Sequence, residues 1–246
     1  MTPEPVPLLC LPYAGAGASV FAKWHPLTPP GVLLAPLQLP GREERTDEEP
    51  LREVAEAVRA LLPAAEAAAA GHRRVALFGH SMGAVLAFEL ARALEERTEI
   101  PVAHVYVSGS PGPFHGRTES AADLDDDAFL AAVETFAGYR HPVWEVAEFR
   151  ELLLPMLRAD VAMHEGYRPL SQAPVEAPVT CLRGDADALV GAGDAAEWGK
   201  VTTGAFTYAE LPGGHMYLLD APGELLRLIA ADLHPGAGAP TGREAR

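Results

Sequence analysis

The chain has 246 residues, of which 48% are hydrophobic and 22% charged, and its formal net charge is −15. This composition is typical of a globular protein and excludes a disordered chain. The acidic excess argues against a nucleic-acid partner, because phosphate backbones are bound by clustered Lys and Arg. No segment reaches the ~18 uninterrupted apolar residues of a membrane-spanning helix, so we expect no membrane partner.

The first residues and the cysteines bear on the compartment. Residues 1–5 show no basic region followed by an apolar one, which predicts no secretion signal. Cys10 and Cys181 each lie in an apolar run, which favours buried reduced thiols over a disulfide. We therefore expect a cytoplasmic protein, with a monomer as the default.

In the first half of the chain, short apolar runs alternate with helix-like segments. The predicted strands are 8–12, 32–39, 74–78 and 102–108, and the predicted helices are 51–70 and 84–97. Strands that alternate with helices predict an α/β protein, with a mostly parallel sheet covered by helices on both faces.

The pattern changes after Ser110. Residues 111–175 contain no strand-like run but two helical stretches, at about 123–137 and 145–167. Apolar residues recur there at helical spacing, and we expect most of them to form a packing face of these helices. They are Phe129, Val133, Phe136, Leu152, Leu153, Met156 and Leu157.

The strand pattern then returns, which decides the domain organisation. Strands are predicted at 178–183 and 206–211, followed by a closing helix at 222–233. Because the sheet resumes, we expect one domain over residues 1–246 with a helical lid inserted at about 111–175. The tail at 236–246 is rich in Gly, Pro and Ala, and we expect it to be disordered.

The segment Gly79-His80-Ser81-Met82-Gly83 lies between a predicted strand and a predicted helix. This is the context of a nucleophile elbow, a turn so tight that the residues flanking the serine must be small. The following helix N-terminus favours negative charge at the serine. We therefore predict an α/β-hydrolase fold with Ser81 as the nucleophile; the alternative is a glycine turn with an exposed serine.

A serine hydroxyl needs a base to act as a nucleophile. Among the nine histidines, His215 lies on a glycine-rich loop between the last strand and the last helix. The α/β-hydrolase order of serine, acid and histidine places the base there, so His215 is the predicted base. His80, next to Ser81, is expected to point away from it and to support the elbow by packing.

The orienting acid should lie between Ser81 and His215, after a strand. Asp185 and Asp187 both meet this condition. We predict Asp187, which lies farther out on the loop, and interpret Asp185 as a turn residue that bonds to its own backbone. The acid would hold the tautomer of His215 and stabilise its imidazolium form.

The oxyanion hole requires two backbone N–H groups. We predict that of Met82, directly after the nucleophile, and that of Ala14, in the small-residue loop after the first strand. The glycines of this loop resemble part of a dinucleotide fingerprint, but the remaining glycine and acidic residue are not in place. We predict no cofactor and no metal.

Five segments occur in an order that makes the chain resemble the type II thioesterases of polyketide synthases and non-ribosomal peptide synthetases. They are Leu11–Gly15, Gln38–Glu43, Gly79–Ala84, Leu157–Asp160 and Gly213–His215. The likeness runs from about residue 6 to 233. The elbow is common to all α/β-hydrolases, whereas the segments at 38–43 and 157–160 are the specific ones.

The resemblance implies an editing enzyme that hydrolyses stalled acyl groups from the phosphopantetheine arm of an acyl or peptidyl carrier protein. The family's triad falls on Ser81, Asp187 and His215 and its oxyanion donors on Ala14 and Met82, the positions already reached from the residues. The encounter with the carrier protein is expected to be transient. The alternatives are a general carboxylesterase or acyltransferase with the same triad, and a non-catalytic α/β-hydrolase scaffold.

The segment Pro40–Arg45 has two interpretations. It is either a contact site for the partner or a rigid turn with a solvated charge pair. We favour the turn, because runs of charged residues are usually solvated.

Overall fold

The structure is a computed structural model that describes residues 3–97, 99–114, 121, 124–137 and 142–235. The predicted tail at 236–246 lies outside these residues. Side-chain statements also leave out residues 136 and 137, which include one member of the predicted packing face.

Six parallel strands form one sheet in the order β2-β1-β3-β4-β5-β6. The strands are β1 (Val6–Leu11), β2 (Val32–Pro36), β3 (Val75–His80), β4 (Val102–Ser108), β5 (Val179–Gly184) and β6 (Phe206–Leu211). Every residue of β1 and β3 is buried, because both strands lie inside the sheet and are covered on both faces. The predicted α/β class and all six predicted strands are confirmed.

The sequence predicted the three helices that pack against the sheet, at Val54–Ala69, Met82–Arg97 and Pro222–Leu233. The helices are α1 (Val54–Ala69), α2 (Met82–Arg97), α3 (Asp126–Ala137), α4 (Ala147–Gly166), α5 (Ala192–Ala196), α6 (Tyr217–Asp220) and α7 (Pro222–Leu233). The sequence did not predict α5, α6 or the 3₁₀ segment Ala18–Leu27, because such short or irregular turns do not produce a helical repeat of apolar residues.

Alternating residues of the strands enter two separate cores. In β1, Leu9 and Leu11 pack with α1 and α2, whereas Leu8 and Cys10 pack with α7 and the 3₁₀ segment at 18–27. Because successive side chains of a strand point to opposite faces, these cores lie on the two sides of the sheet. The helices therefore cover both faces, as predicted.

Both cysteines lie in this buried interior. Cys10 and Cys181 are free and buried, as the sequence predicted. Burial raises the pKa of the Cys181 thiol to about 12, so this group stays protonated at neutral pH. Within the described residues, no helix combines the length and the apolar character needed to cross a membrane.

Helices α3 and α4 stand in the chain between β4 and β5, which are neighbours in the sheet. They enclose a small apolar cluster of their own: Ala121, Phe129, Leu130, Leu154, Leu157 and Val161. The predicted packing face is correct for Phe129 and Leu157. It is wrong for Leu152, which is 64% exposed. The lid role, its limits at 111–175 and the single domain over 1–246 remain predictions.

Candidate active site

The turn at Ser81 joins β3 directly to α2. Ser81 is the single residue between them, and its φ of +54° lies in the left-handed region that non-glycine residues rarely adopt. Its N–H donates a 2.7 Å hydrogen bond to the carbonyl oxygen of Ser108, at the end of the neighbouring strand β4. The strained conformation is thus held by the sheet, as expected for a functional turn.

The two glycines that flank this turn leave no room for a side chain. A Cβ atom on Gly79 would lie 1.8 Å from the carbonyl oxygen of Gly83, and one on Gly83 would lie 2.3 Å from that of Leu11. Both clashes involve backbone atoms, which cannot rotate away. The sequence pattern around Ser81 is therefore a steric requirement of the turn.

Asp187 and His215 meet at the carboxyl edge of the sheet, in the loops after β5 and β6. His215 Nδ1 donates a 2.8 Å hydrogen bond to Asp187 Oδ2. The second oxygen, Oδ1, accepts the N–H groups of Leu189 at 2.8 Å and Val190 at 3.2 Å. The side chain of Asp187 is fully buried and that of His215 is 11% exposed, so these hydrogen bonds fix the orientation of the carboxylate and of the imidazole ring.

These contacts determine the charge of Asp187. Burial alone would raise its pKa, but the hydrogen bond and charge interaction with His215, together with the two backbone N–H groups, lower it. The net pKa lies below the ordinary value of an aspartate, so the carboxylate is ionised at neutral pH.

Asp185, the other carboxylate of this loop, has a different contact. Its Oδ1 accepts the N–H of Gly213 at 2.9 Å, in the loop that carries His215. The sequence interpretation, a bond within its own turn, was wrong. Asp185 instead links the two loops that carry Asp187 and His215.

His80 lies against His215, although the sequence predicted only packing contacts for it. The two ring centroids are 5.0 Å apart. His80 Nδ1 shares a 2.8 Å hydrogen bond with the Ser108 hydroxyl, which is 2.7 Å from the Tyr217 hydroxyl. Because His80 directly precedes Ser81, this contact also shows that the His215 loop reaches back across the sheet to the elbow.

His80 is held in its neutral form. Burial, and to a lesser degree the nearby His215, lower the pKa of His80 well below its usual value, while Asp187 acts in the opposite direction. Gly109, with φ of +55°, fits between the two rings: a Cβ atom there would lie 2.5 Å from His80 and 3.2 Å from His215. No local pattern in the sequence indicated this arrangement.

The backbone N–H groups predicted for the oxyanion hole belong to Ala14 and Met82. Met82 is the first residue of α2, so its N–H has no acceptor within the helix. For the N–H of Ala14, none of the described residues acts as an acceptor. Both groups thus have the hydrogen-bonding capacity that an oxyanion requires.

The two segments that were most specific in the sequence contact each other. Arg42, from the Gln38–Glu43 segment, forms a bidentate ion pair with Asp160, from the Leu157–Asp160 segment of α4, and both N–O distances are 2.6 Å. Arg42 is 4% exposed and Asp160 is fully buried. The interpretation of this charged turn as solvated was therefore wrong for Arg42.

A pocket opens one helical turn after Ser81, between α2 and the end of α4. Val85, Ser110, His164 and Tyr167 are among the residues that line it. Among the described residues there is no cluster of three or more His, Cys, Asp or Glu side chains that could hold a metal ion.

Comparison with known proteins shows which sequences and structures this chain resembles. The sequence profile of the thioesterase domain family matches residues 6–233. The thioesterase PikA5 of Streptomyces venezuelae is 37% identical over 238 residues, which cover 97% of the chain and 84% of PikA5. The gramicidin S biosynthesis protein GrsT of Aneurinibacillus migulanus is 32% identical over 227 residues, covering 92% of the chain and 88% of GrsT.

Solved structures show the same likeness. The type II thioesterase BorB from the borrelidin biosynthetic cluster matches with a TM-score of 0.84 and 35% sequence identity. The match covers 94% of the chain and 95% of BorB.

Proposed function

Because the chain belongs to the thioesterase domain family, we propose that it is a type II thioesterase that removes stalled acyl groups from carrier proteins. The predicted resemblance to thioesterases of polyketide and non-ribosomal peptide pathways is confirmed by PikA5, GrsT and BorB. The observation that carries the proposal is the 2.8 Å bond between His215 and Asp187 beside the Ser81 elbow.

The proposed reaction begins at Ser81. His215 Nδ1 is occupied by Asp187, so Nε2 is the nitrogen available to accept the serine proton. Ser81 Oγ then attacks the thioester carbonyl, and the resulting oxyanion is stabilised by the N–H groups of Ala14 and Met82. Asp187 stays deprotonated throughout and stabilises the imidazolium form of His215.

The reaction is completed by hydrolysis. The C–S bond breaks, and the phosphopantetheine thiol leaves with the proton that His215 has taken up. Water then attacks the acyl-serine with His215 as general base, which releases the carboxylic acid and regenerates Ser81. No step requires a cofactor, and phosphopantetheine enters only as part of the substrate.

The predicted lid is proposed to control access to this site. Its helices α3 and α4 contact each other through their own apolar cluster, and the pocket lies between α2 and the end of α4. A displacement of α4 would therefore widen the pocket for the arm and its acyl group. We further propose that the enzyme acts as a monomer in the cytoplasm, where carrier proteins receive their arms.

The direct test compares thioester and oxygen-ester substrates. We expect the chain to release acyl groups from an acyl-loaded carrier protein, observed by intact-mass spectrometry as a return to the free phosphopantetheine form. A matched oxygen ester should react more slowly, because an alkoxide leaves less readily than a thiolate and needs more help from the acid. Preference for the oxygen ester would instead favour a general carboxylesterase, and no hydrolysis of either would favour a non-catalytic scaffold.

The encounter with the carrier protein should be weak. Carrier proteins are generally acidic and this chain has a net charge of −15, so long-range attraction is absent or reversed. We expect a Kd above about 1 μM, and an affinity that does not fall when salt is raised, because screening reduces repulsion. Calorimetry with the Ser81→Ala variant and a loaded carrier protein at two salt concentrations measures this. A Kd well below about 1 μM that rises when salt is added would contradict this expectation.

A further inference from the structure

The loop after β1, residues 13–17, carries Ala14 and is held by side chains from two distant segments. Asp160 Oδ2 accepts the N–H of Gly15 at 2.8 Å, and Arg42 Nη1 donates to the carbonyl oxygen of Ala16 at 3.0 Å. Gly15 and Ala16, the two residues that follow Ala14, are thus both hydrogen-bonded to the same ion pair. The loop conformation depends on both partners.

The residues that follow this loop are hydrogen-bonded to the segment that contains Arg42, Gln38–Glu43. The N–H of Ala18 donates to Gln38 Oε1 at 2.8 Å, and the Ser19 hydroxyl donates to Glu43 Oε1 at 2.6 Å. Glu43 has a φ of +50°, an unfavourable conformation for a residue with a side chain. Side chains of the segment 38–43 therefore form hydrogen bonds with the β1 loop at Ala16 and with the two residues just after it, Ala18 and Ser19.

Helix α4 contributes packing as well as a charge. Leu157 lies one turn before Asp160, and a Cβ atom on Gly15 would be 2.9 Å from its Cδ1. Ala14 packs against both the main core of the sheet and the apolar cluster of α3 and α4. The position of the Ala14 N–H is thus determined jointly by the sheet and by α4.

The ion pair itself is an unusual means of stabilising a fold. Both side chains lose nearly all contact with water, and this desolvation offsets much of their mutual attraction. An apolar pair of the same volume is often at least as stable. The distinctive effect of a bidentate pair is geometric, because the planar guanidinium and the carboxylate fix each other's orientation.

We propose that Arg42 and Asp160 are positioning residues that set the Ala14 N–H in the oxyanion hole and make that hole dependent on the placement of α4. The proposal rests on the proposed function, since it takes Ala14 as an oxyanion donor. Removing one donor from an oxyanion hole typically lowers kcat by about 10²- to 10³-fold. A movement of α4 that opens the pocket would withdraw Asp160 from Gly15 and would leave the hole incomplete until the helix returns.

The test replaces the pair without leaving a buried charge. In the Arg42→Met/Asp160→Leu variant we expect kcat/KM for an acyl-pantetheine thioester to fall about 10²-fold, the loss typical of a misplaced oxyanion donor. The inhibition constant of a trifluoromethyl ketone analogue, which forms a tetrahedral oxyanion with Ser81, should rise by the same factor. The Kd of a non-hydrolysable thioether analogue should stay unchanged, because it develops no oxyanion.

The control variant removes a more exposed ion pair that also involves α4. Arg150 in α4 pairs with Asp127 in α3 at 2.6 Å, and the side chain of Asp127 is 88% exposed. Arg150→Gln/Asp127→Asn should leave all three constants unchanged. Arg42→Lys, which keeps the charge but not the bidentate geometry, should show a smaller loss of the same kind.

Three outcomes would overturn the proposal. The first is a folded double variant that the ketone inhibits as strongly as it inhibits the wild type. The second is an equal loss of ketone and thioether binding. The third is unfolding of both Arg42 variants, which would assign the pair to stability alone. Failure of the wild type to hydrolyse any thioester would instead count against the proposed function. The ketone affinities would still decide between positioning and stability.

Discussion

Replacing Ser81 with Ala should abolish thioester hydrolysis while leaving the fold intact. We expect kcat to fall on the order of 10⁶-fold, the loss seen when the nucleophile of a serine hydrolase is removed. The fold should persist because the backbone N–H of residue 81, not its hydroxyl, makes the bond to Ser108. Single-turnover assays with an acyl-carrier substrate measure the rate, and circular dichroism checks the fold.

A serine outside the site provides the control. Ser171, in the loop after α4, accepts the N–H of Ala173 at 3.1 Å and lies in a different part of the chain. Ser171→Ala should keep wild-type activity and should still be labelled by a fluorophosphonate, whereas Ser81→Ala should not be labelled. Hydrolysis and labelling that both survive in Ser81→Ala would rule out Ser81 as the nucleophile.

The second large effect is expected for Asp187→Asn, with kcat lowered about 10⁴-fold. The contacts of Asp187 explain why. Oδ1 accepts two backbone N–H groups, from Leu189 and Val190, so the amide of an asparagine would keep its oxygen there and turn its NH₂ toward His215. His215 Nδ1 would then have to accept a hydrogen bond, and Nε2 would carry the proton and could no longer act as a base.

Asp185 offers a matched control two residues away. It shares the loop and bonds to Gly213, but has no contact with the His215 ring among those described. We expect Asp185→Asn to change kcat by only a few-fold, measured with the same substrate. A large loss in Asp185→Asn together with normal activity in Asp187→Asn would reverse the assignment of the acid.

The lowered pKa of Asp187 also predicts how stability depends on pH. A carboxylate with a depressed pKa in the folded state stabilises the protein above its unfolded-state pKa, about 3.9, and loses this contribution as the pH falls through the folded-state value. Asp187→Asn should therefore lose less free energy of unfolding than the wild type between pH 6 and pH 3. Urea unfolding at both pH values measures this, and an equal or larger loss in the variant would contradict it.

The elbow shows how far local sequence can predict a site. Gly79 and Gly83 are required because any Cβ atom there would overlap backbone, so a tight turn at Ser81 is already encoded in five residues. The order of strands and helices likewise predicted the parallel sheet, because periodicity reports which faces are buried. Asp187 and His215 were predicted from their order in the chain, and the structure brings them within hydrogen-bond distance.

Other parts of the site depend on contacts between residues far apart in the chain. Arg42 and Asp160 are separated by 118 positions, and each alone is typical of an exposed charge. His80 was expected to point away from the chemistry, yet its ring lies against His215, because the β6 loop crosses back over the sheet to the end of β3. Such contacts follow from strand order and loop path, neither of which leaves a local pattern.

The sequence by itself determined the class of fold, the strained serine turn and the identity of the residues available for a triad. These follow from steric limits and from buried periodicity, which act over a few neighbouring residues. Only the tertiary structure decided that the Arg42–Asp160 pair is hydrogen-bonded to the loop of Ala14. The same is true of the contacts that α4 makes with this loop through Asp160 and Leu157. The reason is that a buried charge is stable only with its partner, and that partner comes from another element of the fold.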